Sequence, residues 1–216
     1  MIPPLDFLPQ IEMTELIIDI GVWIIDQVLQ QILAWVKAGK SWVVSINIAA
    51  LHFHRGNFLQ HLKDVLARYP DVPPNLLEIE ILESVALGDI NQVSQLIRDC
   101  KILGVSFALD DFGTGYSSLN YLKHLPVETL KIDQSFVRDI VDNPDDLIMI
   151  EAIINIGKVF NLKVIAEGVE TTEHGVLLMR LGCDFAQGHG IAKPMPALQV
   201  LDWANTYSAD TIWATT

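Results

Sequence analysis

Acidic, amide and lysine side chains recur in this sequence at one kind of place, near the last residues of short apolar runs. These residues are Asn47, Glu80, Glu83, Asp110, Asp111, Lys131, Asp133, Glu167 and Gln187. Most of them offer hard oxygen donors, and carboxylates that meet in one place repel one another unless a cation compensates them. Mg²⁺ and Mn²⁺ prefer such ligands, whereas the thiols and histidines that zinc prefers are missing from these positions.

The residue types indicate a two-metal site for phosphodiester hydrolysis. In such reactions two divalent ions about 3.5–4 Å apart clamp the attacking and the leaving oxygen. The predicted ligands are Asn47, Glu80, Asp110, Asp111 and Glu167. Lys131 is predicted to steady the attacking oxygen or a phosphate oxygen.

Each of these residues also has an ordinary structural interpretation. Asp110 and Asp111 fit a simple turn before Gly113. Lys131 fits a structural ion pair, and Glu83 fits a loop anchored by hydrogen bonds. The functional interpretation gains its weight from repetition, because six successive runs carry a polar side chain at the equivalent position.

The elements that must position these side chains alternate along the chain. Apolar, β-branched runs predict strands at 42–48, 76–82, 105–110, 128–133, 162–168 and 184–188. Helices are predicted at 14–38, 57–68, 89–103, 116–124, from about 143, at 171–181 and at 197–207, with Thr14 capping the first and Gly39 ending it. Six strands, each followed by a helix, predict parallel pairing. The carboxyl ends of parallel strands meet on one face, where the active site of an α/β barrel lies.

Length, composition and charge set further bounds. Half of the 216 residues are hydrophobic, which excludes a disordered chain. The length allows one large domain or two small ones, and the lack of a linker or composition break predicts one domain over 1–216. The length is somewhat short for a complete eight-fold barrel, which takes about 250 residues. A net charge of −13 excludes binding of DNA or RNA through a basic surface. A divalent cation is therefore the expected source of positive charge for a phosphate ligand.

The cysteines and the N-terminal region predict a location. Cys100 and Cys183 lie in no metal-binding spacing, which predicts reduced thiols in a cytoplasmic protein. The N-terminus lacks the basic region of a signal peptide. The most apolar stretch, 16–36, contains Asp19 and Asp26, so it predicts a buried amphipathic helix and no membrane contact.

Several motifs carry a family resemblance along nearly the whole chain. They are LEIEILES at 77–84, DDFGTGYSS at 110–118, LKID at 130–133, AEGVET at 166–171 and GCDFAQGHGIAKPMP at 182–196. With these motifs the sequence resembles the EAL domain, the bacterial signalling domain linked to biofilm control that hydrolyses cyclic di-GMP to linear pGpG. The resemblance implies a TIM-like (β/α) barrel, a cyclic di-GMP substrate and two Mg²⁺ or Mn²⁺ ions.

The resemblance also implies roles for individual residues. The metal ligands are Asn47, Glu80, Asp110, Asp111 and Glu167; Lys131 and Glu167 are catalytic; Glu83 anchors the DDFGTGYSS loop; and Asp133, Glu170, Gln187 and Pro194 bind substrate. Glu170 and Pro194 come from the resemblance alone. The other positions coincide with the polar residues at and after the predicted strands.

The sequence departs from the family pattern in places. Leu82 stands where the family usually has Thr, and His189 and Lys193 replace a common aromatic residue and a common Arg. The 216 residues contain no Glu-Ala-Leu triplet, whose Glu is a metal ligand in the family. The resemblance therefore implies an incomplete barrel, with six βα units and a leading helix and with the first strands missing before residue 1.

Two functional hypotheses follow from these departures. The first is a metal-dependent cyclic di-GMP phosphodiesterase whose activity is impaired in this chain. The second is a catalytically inactive EAL-like receptor for cyclic di-GMP, or a protein-interaction module. A barrel that lacks strands has open sheet edges, which are prone to pairing, so a homodimer or other self-association is also expected.

Overall fold

The computed structural model describes residues 3–55, 57–86, 89–114 and 119–208. The strands in these residues are β1 Val44–Asn47, β2 Leu77–Leu82, β3 Ser106–Phe112, β4 Thr129–Ile132, β5 Lys163–Ala166 and β6 Phe185–Ala186. The helices are α1 Pro4–Ile11, α2 Leu16–Lys37, α3 Ala50–His54, α4 Phe58–Leu66, α5 Glu83–Ala86, α6 Ile90–Ile102, α7 Leu119–His124, α8 Gln134–Arg138, α9 Pro144–Phe160, α10 Thr172–Leu181 and α11 Ala197–Thr206, with a 3-10 turn at Pro74–Leu76.

The predicted strands are confirmed with slightly different ends, and the seven predicted helices correspond to α2, α4, α6, α7, α9, α10 and α11. The start of the predicted helix 116–124 falls on residues 115–118, which lie outside the described residues. Four helices were missed: α1, α3, α5 and α8, each 4 to 8 residues long. Such short helices span one or two turns, so no apolar period shows in the sequence.

The predicted cap of the first long helix is wrong. The Thr14 hydroxyl donates a hydrogen bond to the Ile11 carbonyl oxygen at 2.8 Å, because a preceding helix, α1, ends there. Glu15 takes the N-cap position of α2 without a side-chain cap bond. The predicted end is confirmed, since Gly39 has a φ of 76°, which a residue with a side chain rarely adopts.

The described residues divide into two compact units, one within Met1–Ala108 and Ser118–Val127 and the other within Leu109–Ser117 and Glu128–Thr216. The boundary falls within β3. In the first unit β1 pairs in parallel with β2, and the register places Asn47 opposite Glu80. In the second unit β4 pairs in parallel with β5, and β5 pairs in parallel with β6. The strands follow one another in chain order within each unit. That the chain forms one domain stays a prediction.

Helix α2 provides much of the core of the first unit. Its buried residues recur at helical spacing: Ile17, Gly21, Ile25, Leu29 and Ile32. Of the described residues, only this helix is long and apolar enough to cross a membrane. Its buried stripe packs on α3, α4 and β1, and Asp26 pairs with Arg68 at 3.0 Å and accepts from Tyr69 at 2.9 Å. These contacts are those of a helix that covers a sheet.

The short helix α3 places His52 against this stripe. The His52 side chain is 1% exposed, and a Cβ on Gly21 would come within 2.4 Å of its Nδ1 atom, so the helix must carry glycine there. Burial, followed by repulsion from His61, lowers the pKa of His52 to about 4. The ring is therefore neutral near pH 7.

Helix α9 supports the strands of the second unit. Asn143 caps its start by accepting a hydrogen bond from the Asp145 amide at 3.0 Å, and Pro144 occupies the first turn, where proline is tolerated. The buried face of the helix packs on β4 and β5. Gly157 lies at the closest point, where a Cβ would meet Val164 Cγ2 at 2.3 Å.

We expect Gly157→Ala to destabilise the protein although alanine favours helices. The added methyl group has no room against Val164, and overpacking of a core costs about 1–3 kcal/mol. The free energy of unfolding in urea measures the effect. Val164→Ala removes the clashing methyl group. The double variant should therefore lose less free energy of unfolding than the sum of the losses in the two single variants. A Gly157→Ala variant that is more stable than the wild type would contradict this packing.

Candidate functional site

The end of β3 brings two carboxylates to one place. Successive side chains of a strand point to opposite faces, so Asp110 and Asp111 would ordinarily diverge. Asp111 has a φ of 54°, in the left-handed region, which breaks this alternation. Its amide donates to Asp110 Oδ1 at 3.1 Å, and its carbonyl oxygen accepts from the Thr114 hydroxyl at 2.9 Å. This local turn directs both carboxylates into the same cluster.

Lys131 is the cation of this cluster. It lies on β4, whose residues are all buried, and its side chain is 4% exposed. Its Nζ atom lies 2.6 Å from Glu167 Oε1 and 3.2 Å from Asp110 Oδ1. Removing one partner of a buried ion pair leaves an uncompensated charge in a low-dielectric interior, which costs about 3–5 kcal/mol. Lys131 therefore holds the two carboxylates in position.

Glu167 follows β5 and is held from two sides besides Lys131. Its amide donates to the Ile132 carbonyl oxygen at 3.1 Å, which continues the β4–β5 ladder by one residue. The Gln187 side chain, just after β6, donates through Nε2 to Glu167 Oε1 at 3.2 Å. Gln187 is thus placed to orient a carboxylate of the cluster.

The donor set fits a divalent metal ion. Ligand oxygens of Asp110, Asp111 and Glu167 lie within 4.8 Å of one another. Burial, together with the negative charges of Asp110, Asp133 and Glu167, raises the pKa of Asp111 to about 6, while Lys131 opposes the shift. The raised pKa shows that the neighbouring negative charges oppose ionisation of Asp111. A bound cation would offset this repulsion and stabilise the ionised carboxylates.

The first unit contains a separate polar pair at the end of its strands. Asn47 Nδ2 donates to Glu80 Oε2 at 2.9 Å, and two residues earlier in the register Ser45 Oγ donates to Glu78 Oε1 at 2.8 Å. Glu80 is 6% exposed. The structure therefore brings the predicted ligands Asn47 and Glu80 together, and their sharing of metal with Asp110, Asp111 and Glu167 stays a prediction.

Glu83 begins helix α5 and is 7% exposed. The loop that it was predicted to anchor includes residues 115–118, which lie outside the described residues. Its anchoring role stays a prediction.

A cleft of about 480 Å³ adjoins Glu167 in the second unit. Its lining comprises Gln134, Glu167, Gly168, Glu170, Ala186, Gln187, Gly188, His189, Ile191, Ala192, Lys193 and Pro194. Three of the four predicted substrate residues are among these, and the volume suits a small-molecule ligand. Asp133, the fourth, caps α8 by accepting from the Ser135 amide at 3.0 Å, and its neighbour Gln134 lines the cleft instead. Lys193 supplies positive charge to the cleft.

Close backbone packing shapes this cleft, a feature that sequence reasoning missed. A Cβ on Gly188 would lie 2.2 Å from the Val169 carbonyl oxygen, and one on Gly190 would lie 2.7 Å from that of Glu170. The Val169 amide donates to the Gln187 carbonyl oxygen at 3.0 Å, and the Gly190 amide donates to that of Val169 at 2.9 Å. The Gly-x-Gly spacing was visible in the sequence, but the partner segment was not.

Buried His174, also missed, supports the same wall. It packs in the first turn of α10, where Thr171 caps the helix by accepting from the His174 amide at 3.2 Å. Its Nδ1 atom lies 3.5 Å from the Glu170 amide nitrogen, which donates to it. This contact orients the backbone that carries Glu170 into the cleft.

The sequence model described as the EAL domain matches residues 1–194. The chain belongs to the EAL domain family. The resemblance carried by its motifs is thereby confirmed.

Curated proteins similar to this EAL domain come from several bacteria. It is 39% identical over 202 residues to MucR of Pseudomonas aeruginosa, named a bifunctional diguanylate cyclase/cyclic di-GMP phosphodiesterase, with 93% of this chain and 29% of MucR covered. It is 36% identical over 209 residues to the cyclic di-GMP phosphodiesterase PdeR of Escherichia coli, with 96% of this chain and 31% of PdeR covered. This EAL domain thus spans about a third of the length of these relatives.

Solved structures confirm the predicted α/β fold of the EAL type. The MucR phosphodiesterase in its complex with c-di-GMP has a TM-score of 0.88 at 39% identity, covering 92% of this chain and 81% of that one. The EAL domain of Mycobacterium smegmatis DcpA has a TM-score of 0.82 at 34% identity, covering 88% and 86%.

The raised pKa of Asp111 predicts that metal binding depends on pH. Below about pH 6 the carboxyl holds a proton that the ion must displace. As the pH falls further, the Mn²⁺ affinity should decrease about tenfold per pH unit, and binding should release one proton. Above that pH the affinity should level off. Calorimetric Mn²⁺ titrations in two buffers of different ionisation enthalpy measure both quantities.

Two variants accompany this measurement. Asp111→Asn should bind Mn²⁺ more weakly and lose the pH dependence in this range, whereas the exposed Asp142→Asn should behave like the wild type. An affinity that stays constant between about pH 5 and 7 would show that Asp111 does not take part.

Proposed function

We propose that this EAL domain is a divalent-metal-dependent phosphodiesterase that hydrolyses cyclic di-GMP to linear pGpG. The observation that carries the proposal is the cluster of three carboxylates around the buried Lys131, beside a cleft of about 480 Å³. Cyclic di-GMP is proposed as the substrate because the similar proteins MucR and PdeR are both named as cyclic di-GMP phosphodiesterases.

The ions are proposed to be Mg²⁺ or Mn²⁺, two per site. Asp110, Asp111 and Glu167 are oxygen ligands, for which these cations are suited. Asn47 and Glu80 are proposed to complete the ligand set. When bound, such ions polarise phosphate oxygens and make water a better nucleophile.

The residues of this chain have separate tasks in the proposed reaction. Glu167, whose Oε1 atom is held by Lys131 and Gln187, is proposed to be a ligand of a bound metal ion. The Lys131 ammonium can donate a hydrogen bond to an attacking or phosphate oxygen. In the cleft, Lys193 contributes positive charge, and Glu170 and Pro194 are proposed to contact the nucleotide. Asp133, at the start of α8, is proposed to bind substrate.

A second candidate is a receptor that binds cyclic di-GMP without hydrolysing it, or a protein-interaction module. The observation that favours it is the sequence itself, whose 216 residues contain no Glu-Ala-Leu triplet. If that Glu is not supplied, one metal ligand of the family is lacking and the hydrolysis rate is expected to be low. The cleft would remain able to bind the nucleotide.

The cellular setting is likewise proposed. We infer a cytoplasmic domain of bacterial signalling, linked to biofilm control, that contacts neither DNA, RNA nor a membrane. Cys100 and Cys183 are free thiols, and Cys100 is buried, as suits a reducing compartment. The net charge of −13 disfavours approach to a polyanion.

Hydrolysis of cyclic di-GMP with added Mn²⁺ tests the proposal, with pGpG followed by chromatography. We expect product that a chelator abolishes. Lys131→Met should lower the rate roughly a hundredfold or more, because a positioned donor at the reacting oxygen is lost. Lys131→Arg keeps the charge if Lys131→Met fails to fold. The exposed Lys37→Met serves as the matched control and should keep wild-type activity.

The same experiment separates the two candidates. Absence of product together with calorimetric binding of cyclic di-GMP would support the receptor. Absence of both would overturn the proposed ligand itself.

We also propose that this domain associates with further copies of itself. Both residues of β6 are exposed, and the side chain of Phe185 is 53% exposed on this two-residue strand. An exposed edge strand is a template for pairing with another copy.

Light scattering over a range of concentrations measures this association. We expect a mass that rises above that of the monomer, and Phe185→Lys should lower it by placing charge on the strand. Leu198→Lys, at a side chain that is 88% exposed on α11, is the control. A monomeric mass at every concentration would contradict self-association.

A further inference from the structure

A second polar cavity lies in the first unit, between the N-terminal parts of α2 and α4 and the C-terminal part of α3. Its volume is about 310 Å³. Its lining comprises Glu15, Ile18, Asp19, His52, Arg55, Asn57 and His61. The proposed hydrolytic reaction assigns none of these residues a role.

Two imidazole rings face each other at this cavity. His52 Nε2 lies 3.1 Å from His61 Nδ1, and the ring centroids are 5.4 Å apart. Two nitrogens this close share either a proton or a metal ion. Ligand nitrogens at about 2.0–2.1 Å from one ion are separated by roughly 3.0–3.4 Å, depending on whether the ion is octahedral or tetrahedral. The observed separation fits both possibilities.

Packing holds one of the rings in a fixed direction. His52 is 1% exposed, and its ring contacts Phe58 edge-on with centroids 5.0 Å apart. On its Nδ1 side the ring packs against Gly21, which has no side chain and so leaves room for Nδ1. Nδ1 is buried beside Gly21 and has no hydrogen-bond partner among the described residues, whereas Nε2 faces His61, so Nε2 is the ring nitrogen that can bind an ion at the cavity.

The rest of the cavity supplies oxygen donors. Glu15 and Asp19 are four residues apart at the start of α2, so their side chains share one face of the helix. Both are exposed, and Glu15 pairs with the exposed Arg55 at 3.4 Å. Exposed ion pairs of this kind contribute little, so rotation of a carboxylate toward the histidines is cheap.

We propose that His52 and His61, together with a carboxylate of Glu15 or Asp19, form a second metal site that takes a borderline transition-metal ion such as Zn²⁺. Imidazole ligands suit Zn²⁺, Ni²⁺ and Cu²⁺, whereas an all-oxygen cluster suits Mg²⁺ and Mn²⁺. The two metal sites therefore differ in the ion they select. An ion here links α2, α3 and α4, and its binding stabilises the folded chain.

Zn²⁺ titration of the full chain tests the site, with millimolar Mg²⁺ present to occupy the acidic cluster. Long-range ¹H–¹⁵N spectra of the histidine rings report which nitrogens bind the ion. We expect one equivalent of Zn²⁺ to shift the His52 Nε2 and His61 Nδ1 signals and to raise the melting temperature.

Matched variants make the test specific. His61→Gln, at a half-buried position, should lower the Zn²⁺ affinity at least about tenfold and remove the shift in melting temperature. His54→Gln is the control, because His54 is exposed and does not line the cavity. Asp19→Asn and Glu15→Gln identify the carboxylate.

Two outcomes would overturn the proposal. One is a spectrum in which Zn²⁺ leaves both histidine rings unchanged, which would show that the pair only shares a proton. The other is a Zn²⁺ affinity that His61→Gln and His54→Gln reduce equally. Because neither readout involves cyclic di-GMP, failure here is distinguishable from failure of the proposed hydrolase activity.

Discussion

The arrangement of the candidate site depends on one buried ammonium group, that of Lys131. It lies within an ion-pair distance of both Asp110 and Glu167, on a strand whose other residues are all buried. Charges in such surroundings persist only when they are paired. With Asp111 ionised as well, one ammonium faces three carboxylates, and two negative charges remain. The site is thus arranged to accept a divalent cation, and the raised pKa of Asp111 expresses the same imbalance.

The surrounding backbone serves this electrostatic arrangement. The left-handed turn at Asp111 adds a second carboxylate at the end of β3. The close approach of Gly188 to Val169 places Gln187 where its amide reaches Glu167. These are positions where a Cβ or a regular strand would be the ordinary choice. The local irregularities have a chemical consequence, since each one adds or orients a donor atom in the cluster.

The two units use different chemistry at their polar centres. In the second unit carboxylates dominate. The adjoining cleft is lined by Lys193 and His189, although the chain as a whole is strongly acidic. In the first unit a neutral, buried histidine faces a second one across 3.1 Å. Hard oxygen donors and imidazoles select different ions. If both centres bind metal, the chain carries a proposed reaction centre and a proposed structural centre, and each can be emptied without the other.

Much of the fold could be predicted from the sequence, because strands and long helices depend on apolar periodicity within a short window. The runs that became β2, β3 and α9 are visible as patterns, as is the start of α9 at about residue 143. Short helices such as α3 and α8 could not be predicted, since one turn leaves no period and tertiary contacts stabilise it. The predicted cap at Thr14 failed for a related reason, because an unforeseen helix precedes it.

For the site, the sequence by itself determined the residue types: the carboxylates near strand ends, the lone lysine on an apolar strand, and the motifs of the EAL family. Only the tertiary structure decided which of them meet. The ion pairs of Lys131, the turn at Asp111 and the Gly188–Val169 contact join residues on different strands or override the strand period. The histidine pair, His52 and His61, is brought together by the packing of α3 on α4. Sequence periodicity describes one element at a time, and these contacts depend on how elements pack.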